Sequence, residues 1–183
     1  MRIAVFGGSF DPPHIAHEKI VNIALEQLDI DKIFIVPTYL NPFKDDFHLK
    51  PEKRFSLLTR LFKDNKKVII SDYEINQKRK VPSFETIQFL KHRYNISKIY
   101  FIIGTDNYSN LNKWYKYEEL KNEVEFVIAK RIGFLNENLD KIKTLDVDID
   151  ISSTHLRNSI NLEFISDKIK DDVKSLYKIK KGN

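Results

Sequence analysis

The sequence predicts an α/β fold: a doubly wound, Rossmann-like parallel sheet of five or six strands, helices on both faces and a small helical C-terminal part. Three observations lead there. Short apolar runs rich in β-branched and aromatic residues recur at 3–6, 32–36, 99–103 and 125–129. Between them lie stretches whose apolar residues follow a helical period. The first run ends in Gly7-Gly8 and is followed by Asp11-Pro12-Pro13, so a buried strand gives way to a permissive loop and a helix start.

The elements follow in order. After Ile3–Phe6, Pro12 and Pro13 suit a first helical turn, which sets His14 and His17 at i and i+3 on one face. Ile20, Ile23, Ala24 and Leu28 continue that helix as an apolar stripe. A second strand, Lys32–Val36, is halted by Pro37, and 38–50 is a polar loop without a period. Pro51 opens a helix with Phe55, Leu58, Leu61 and Phe62 on its apolar side. Val68–Ile70 reads as a third strand, 76–80 as a charged loop and 83–94 as a helix. Strands at 99–103 and 125–129 flank a helical stretch through Trp114 and Leu120. Alternation at 147–151 suggests a short sixth strand, and the chain from Ser153 onward reads as helical. In such sheets ligands sit beyond the carboxyl ends of the strands, so the loops after strands one, two, four and six should build the site.

A chain of 183 residues fits a single domain, 1–183, with 42% hydrophobic and 31% charged residues. No apolar run approaches the roughly 18–20 residues that span a bilayer, and no basic segment precedes an apolar one as in a secretory signal. No membrane partner is expected, and the cytoplasm is the expected location. Cysteine is absent, which excludes disulfides and thiolate zinc sites and fits a reducing compartment. The net charge of +5 is spread among interleaved acids, so no dedicated nucleic-acid face is expected. A homo-oligomer is left open.

Three stretches carry chemistry. Gly7–His17 places two imidazoles beside a helix N-terminus, whose N–H groups and positive dipole end suit a phosphate. Ile151-Ser152-Ser153-Thr154-His155-Leu156-Arg157 sets three hydroxyls and an arginine at another helix start. Ile102-Ile103-Gly104-Thr105-Asp106-Asn107, with Leu111 and Trp114 beyond, ends a strand in glycine and adds a carboxylate and the chain's one tryptophan. From the residues alone, Asp106 fits a helix cap as well as a ribose contact, and Trp114 fits the core as well as a ring contact.

The first stretch resembles the signature of the nucleotidylyltransferase superfamily, GGSFDPPHxGH in its nicotinate mononucleotide branch, with Ala16 where that family has glycine. The second resembles its ISSTxxR signature and the third its IGxDxxxxLxxW stretch. Together they mark the chain as similar to the nicotinate-nucleotide adenylyltransferases. The resemblance implies transfer of AMP from ATP to nicotinate mononucleotide, yielding nicotinate adenine dinucleotide and pyrophosphate. The mononucleotide's 5′-phosphate attacks the α-phosphorus directly, without a protein nucleophile.

That resemblance implies His14, His17 and Arg157 as catalytic residues. Gly7, Gly8, Ser9, Phe10, Gly104, Asp106, Ser152, Ser153 and Thr154 join them in holding ATP. Asn41, Lys44, Thr86, Trp114, Tyr115 and Arg131 are implied for the mononucleotide. Lys44 also fits a solvent-exposed loop lysine, either Ser83 or Thr86 takes the place of the family's SYTxDT contact, and the Tyr108, Tyr115 and Tyr117 rings read as packing. Mg²⁺ is implied as a companion of ATP, held by phosphates and water. Nicotinamide mononucleotide or pantetheine phosphate is the alternative acceptor, and a non-catalytic nucleotide sensor the alternative of another class.

Overall fold

In a computed structural model, the described residues are 1–41, 45–130, the backbone of 131, 142–149, 151, 153, 156 and 161–177. The chain begins with β1 (Arg2–Gly8), α1 (Ile15–Gln27), β2 (Lys32–Pro37), α2 (Pro51–Phe62) and β3 (Val68–Ile70). Then come α3 (Tyr73–Asn76), α4 (Ser83–Arg93), β4 (Lys98–Gly104), α5 (Thr105–Tyr108), a 3₁₀ turn (Leu111–Lys113) and α6 (Tyr117–Glu123). Strands β5 (Glu125–Arg131) and β6 (Lys143–Val147), a second 3₁₀ turn (Leu162–Phe164) and α7 (Lys170–Leu176) follow.

The six strands form one sheet in the order β3-β2-β1-β4-β5-β6, and every neighbouring pair is parallel. This is the doubly wound Rossmann-like order, which reverses between β1 and β4. There Phe6 lies between Ile35 and Ile102 in register.

Each central strand is buried on both faces because its apolar residues run without interruption. Ala4, Phe6, Ile33, Ile35 and Ile102 pack under α1, α2 and α7 with Val21, Leu58, Leu61 and Val173. Ile3, Val5, Phe34, Phe101 and Ile103 pack on the other face with Ile87 and Leu90 of α4 and Leu120 of α6. The alternation of neighbours within each strand is the period of two expressed in space. No helix among the described residues is long and apolar enough to cross a membrane.

Two boundaries differ from the sequence expectation. The sixth strand is 143–147, not 147–151. Its alternation has the same period, but its partner sets its limits: Val127 pairs with Lys143 and Arg131, where β5 ends, pairs with Val147. The first helix starts at Ile15, so Pro12 and Pro13 precede it, and His14 is its extended N-cap at φ −145° and ψ 170°. A proline pushes the residue before it out of the α region, which delays the start. At the C-terminal end the described chain is a 3₁₀ turn and α7, which bury Ile165, Ile169 and Val173.

Candidate active site

The site grows from the turn after β1. Gly8 suits the close packing there, because a Cβ on it would sit 3.2 Å from the ring of Phe10, tighter than ordinary contact. Phe10 has a left-handed backbone, φ 49°, and its ring is core, edge-on to Phe6 at 5.3 Å and to His17 at 4.8 Å. Its side chain, 2% exposed, therefore supports His17 and offers a nucleotide little surface.

His14 and His17 do meet, though not as neighbours on one helical face. The extended N-cap brings their rings into a stack 3.6 Å apart at 23°. The backbone N–H of His14 donates to His17 Nδ1 at 3.1 Å, and the N–H of His17 donates to the His14 carbonyl at 2.9 Å. An accepting Nδ1 carries no proton, so a neutral His17 holds its proton on Nε2 as a donor. His14 is buried and His17 half-buried.

A buried arginine and a buried aspartate fix the loops around this turn. Arg54 of α2, 1% exposed, donates to the carbonyls of Leu49 (3.0 Å), Ser9 (2.5 Å), Thr38 (2.7 Å) and Tyr39 (2.9 Å). Asp11 accepts from the N–H groups of His48 (2.9 Å) and Leu49 (3.2 Å) and from the Tyr177 hydroxyl. Burial pushes the Arg54 guanidinium below its ordinary value, and the Asp11 charge opposes that shift. Ser9 is thus held by its carbonyl, and the aperiodic loop is anchored at Thr38, Tyr39, His48 and Leu49. The Ser153 hydroxyl donates to the Pro12 carbonyl at 3.0 Å, which ties the second motif to the first.

Beside the turn lies a cavity of about 260 Å³ at the point where strand order reverses. Gly7 and Gly8 form one wall, Thr86 and Ser83 of α4 another, and Asn41, Trp114 and Tyr115 reach it from their loops. Trp114 is half-buried, edge-on to Phe101 at 6.1 Å, and its buried Nε1 has no hydrogen-bond partner among the described residues. Tyr115, read from the sequence as packing, is 56% exposed at the rim, whereas Tyr108 and Tyr117 do pack against the core. Gly104 ends β4 with open space where a Cβ would stand, and Asp106 is exposed on the first turn of α5, outside this cavity. Lys44, Ser152, Thr154, Arg157 and the Arg131 side chain lie outside the described residues.

Sequence reasoning passed over several residues here. Lys80 and Lys113 line the cavity and bring positive charge to it. Arg54 occupies an apolar position of the α2 stripe, with Leu57, Leu58 and Leu61 following at helical spacing, and that misplaced cation was the available signal. Glu74 of α3 also lines the cavity. It is 5% exposed, and its Oε1 accepts from the Thr86 hydroxyl at 2.6 Å.

Burial pushes the Glu74 carboxyl up to about 7, while the Thr86 hydrogen bond works against that shift and the nearby Glu85 adds to it. The folded chain thus keeps this proton through a range where an unfolded chain, near 4.5, has released it. Glu74 therefore weakens the fold as pH rises between those values, by about 3 kcal/mol in all. Glu74→Gln, which cannot ionise, is expected to gain stability over the native chain by about that amount between about pH 5 and about pH 8. Urea titrations at the two pH values measure the gain, and an unchanged difference would show that Glu74 titrates in the fold as it does in the unfolded chain.

Among known proteins, the cytidylyltransferase-like family model matches residues 5–159. A protein of Aliarcobacter butzleri described as a "probable nicotinate-nucleotide adenylyltransferase" is 58% identical over 182 residues, covering 100% of both chains. One of the same description from Campylobacter jejuni is 46% identical over 177 residues, covering 97% of each. Among solved structures, the nicotinic acid mononucleotide adenylyltransferase of Plasmodium falciparum complexed with NaAD superposes with a TM-score of 0.75 at 24% identity, covering 97% of this chain and 96% of that one. That likeness supports the fold. The chain belongs to the cytidylyltransferase-like family.

Proposed function

We infer that this member of the cytidylyltransferase-like family transfers AMP from ATP to nicotinate mononucleotide, giving nicotinate adenine dinucleotide and pyrophosphate. The observation that carries the reading is the juxtaposition at the switch point. A stacked histidine pair stands at the N-terminus of α1, beside a glycine-walled cavity lined by Trp114 and Thr86. Full-length relatives named for this reaction support the same reading.

In the proposed reaction a 5′-phosphate oxygen of the mononucleotide attacks the α-phosphorus of ATP in line. The α–β anhydride bond breaks, and pyrophosphate leaves with its electron pair. No side chain is acylated or phosphorylated, so the protein contributes position and charge stabilisation. His17 donates from Nε2 to a phosphate oxygen as charge builds there, its ring held by the His14 N–H and the Phe10 edge. His14 and the N–H groups of Gly8 and Ser9 hold the nucleotide, and Ser153, Thr154 and Arg157 hold the outer phosphates. Asn41, Lys44, Arg131, Lys80 and Lys113 are assigned to the mononucleotide, with Trp114 stacking on its pyridine ring.

Mg²⁺ accompanies ATP, bound by its phosphates and by water. Asp11, the buried acid of the turn before the histidines, is engaged by two main-chain donors and Tyr177, which fits an ion held by the substrate rather than by this carboxylate. Because ATP is the co-substrate, the cytoplasm is the proposed place of action.

The reading is tested by incubating the protein with ATP, Mg²⁺ and nicotinate mononucleotide and separating the dinucleotide product by chromatography. Trp114→Ala is expected to raise the KM for the mononucleotide by about tenfold or more, the value of a lost aromatic stack, and to leave the KM for ATP within about twofold. Equal losses for both substrates would make Trp114 a core residue instead.

A further inference from the structure

The outer face of α4 carries aromatic rings that the proposed reaction does not use. The helix divides by its period. Thr86, Ile87 and Leu90 are buried, whereas Phe84, Glu85, Gln88, Phe89, His92 and Arg93 line a groove of about 570 Å³ that opens to solvent. Tyr73 of α3 joins the groove, its ring stacked on Phe89 at 3.9 Å and 12°. His92 and Arg93 are exposed, and the other groove residues are half-buried. Aromatic rings rimmed by charge on an open helix face mark an interaction surface.

The order of these residues says what partner fits. They are complements of one another about a point between Gln88 and Phe89. A second α4 laid antiparallel across that point brings Glu85 opposite His92 and beside Arg93, Gln88 opposite Phe89, and Phe84 opposite Arg93. The acid then meets imidazole and guanidinium donors, and the rings meet an amide and a cation. Each pairing occurs twice, as a two-fold interface requires. A parallel arrangement would instead set Arg93 against Arg93 and Glu85 against Glu85. Contacts within the chain leave room for these pairs. Glu85 accepts from Arg79 at 2.5 Å, but a carboxylate offers about four acceptor sites and is not exhausted by one guanidinium. Lys116 Nζ stands over one face of the Phe84 ring at 4.9 Å, and a ring has a second face. Lys91, on the flank of the helix, is engaged by Glu123 of α6.

We propose that the outer face of α4 is a two-fold interface, on which a second copy of this chain docks its own α4 antiparallel. The proposal is independent of the reaction inferred above. The same helix supplies Ser83 and Thr86 to the cavity at the switch point, so the second copy would brace that wall from outside. Six α4 residues a side fall well short of a standard stable interface, so the dimer is weak, with a Kd on the order of 10–100 μM.

The test is sedimentation velocity on the full chain without substrates, from about 1 μM to about 200 μM. The native chain is expected to pass from monomer to dimer across that range. Arg93→Glu places a carboxylate beside Glu85 at both ends of the interface and should weaken association by roughly tenfold or more. Glu85→Lys, which sets an ammonium beside Arg93, should weaken it by a similar factor. Together the two substitutions reverse the charge pairs and should restore association to within about threefold of native. Melting curves establish that each variant is folded. A native chain that stays monomeric at about 200 μM would overturn the second copy as the occupant of this face. A dimer that Arg93→Glu leaves intact would overturn this face as its interface. No recovery in the folded double variant would overturn the antiparallel pairing. Arg93→Glu is decisive even if Glu85→Lys folds poorly.

Discussion

His17→Ala is expected to lower kcat by roughly 10²-fold or more, about 3 kcal/mol of transition-state stabilisation, while leaving the fold intact. The size follows from the role proposed for it: one preorganised donor to a phosphate oxygen that gains charge only as the reaction proceeds. Its preorganisation is visible. The His14 N–H fixes the tautomer, the His14 ring stacks on the His17 ring and the Phe10 ring meets it in an edge contact. Little stability should be lost, because the ring is half-buried and the hydrogen bond its Nδ1 accepts caps a helix, worth about 1 kcal/mol. KM for ATP is expected to move far less than kcat, since the interaction strengthens in the transition state. Steady-state kinetics with a melting curve separate the two effects. A variant with near-native turnover would remove His17 from the mechanism.

Arg54→Met should carry the largest stability cost, about 3–5 kcal/mol, although the substitution preserves much of the side chain's volume. Methionine cannot donate, so the carbonyls of Leu49, Ser9, Thr38 and Tyr39 lose their shared partner and Asp11 loses its countercharge. Buried groups left unpaired bear the full desolvation penalty. Because Ser9 belongs to the phosphate turn, kcat/KM should fall as well, even in the fraction that remains folded. Arg54→Lys keeps the charge but not the planar fork, so it should recover only part of the loss. Urea unfolding at neutral pH measures the difference. A cost below about 1 kcal/mol would show that water replaces the guanidinium without penalty.

The two residues mark how far the sequence could be read. Gly7-Gly8 and the histidines are legible because a strand, a turn and a helix start are local events, written within a dozen consecutive positions. The central strands are legible for the same reason: an uninterrupted apolar run such as Ile99–Ile103 needs no knowledge of its neighbours to read as buried on both faces. β6 was misplaced by four residues because alternation at 143–151 is nearly continuous, and only the end of β5 selects which part pairs. The start of α1 was misjudged because a proline pair can open a helix or precede one, and the His14–His17 exchange decides between them.

Arg54, Asp11 and Glu74 were hidden for another reason. Arg54 meets Ser9 across 45 positions, and Asp11 meets Tyr177 across 166. Their meaning lies in which carbonyls and amides the fold gathers around them, and no local pattern encodes that. Glu74 sits among ordinary neighbours, Tyr73 and Ile75, and only burial and the Thr86 hydroxyl distinguish it. Trp114 and Thr86 show the intermediate case. Their motif suggested a ring-binding role, and the fold brings both to one cavity with Asn41.

The most direct test of the central claim is pyrophosphate release from ATP and Mg²⁺ with nicotinate mononucleotide, nicotinamide mononucleotide and pantetheine phosphate offered in parallel near pH 6.5. The expected result is rapid release with the nicotinate compound, at least about tenfold slower release with the nicotinamide compound, and none above background with pantetheine phosphate. Release with pantetheine phosphate alone would keep the chemistry and contradict the assignment of the Trp114 cavity. Silence with all three would contradict adenylyl transfer itself.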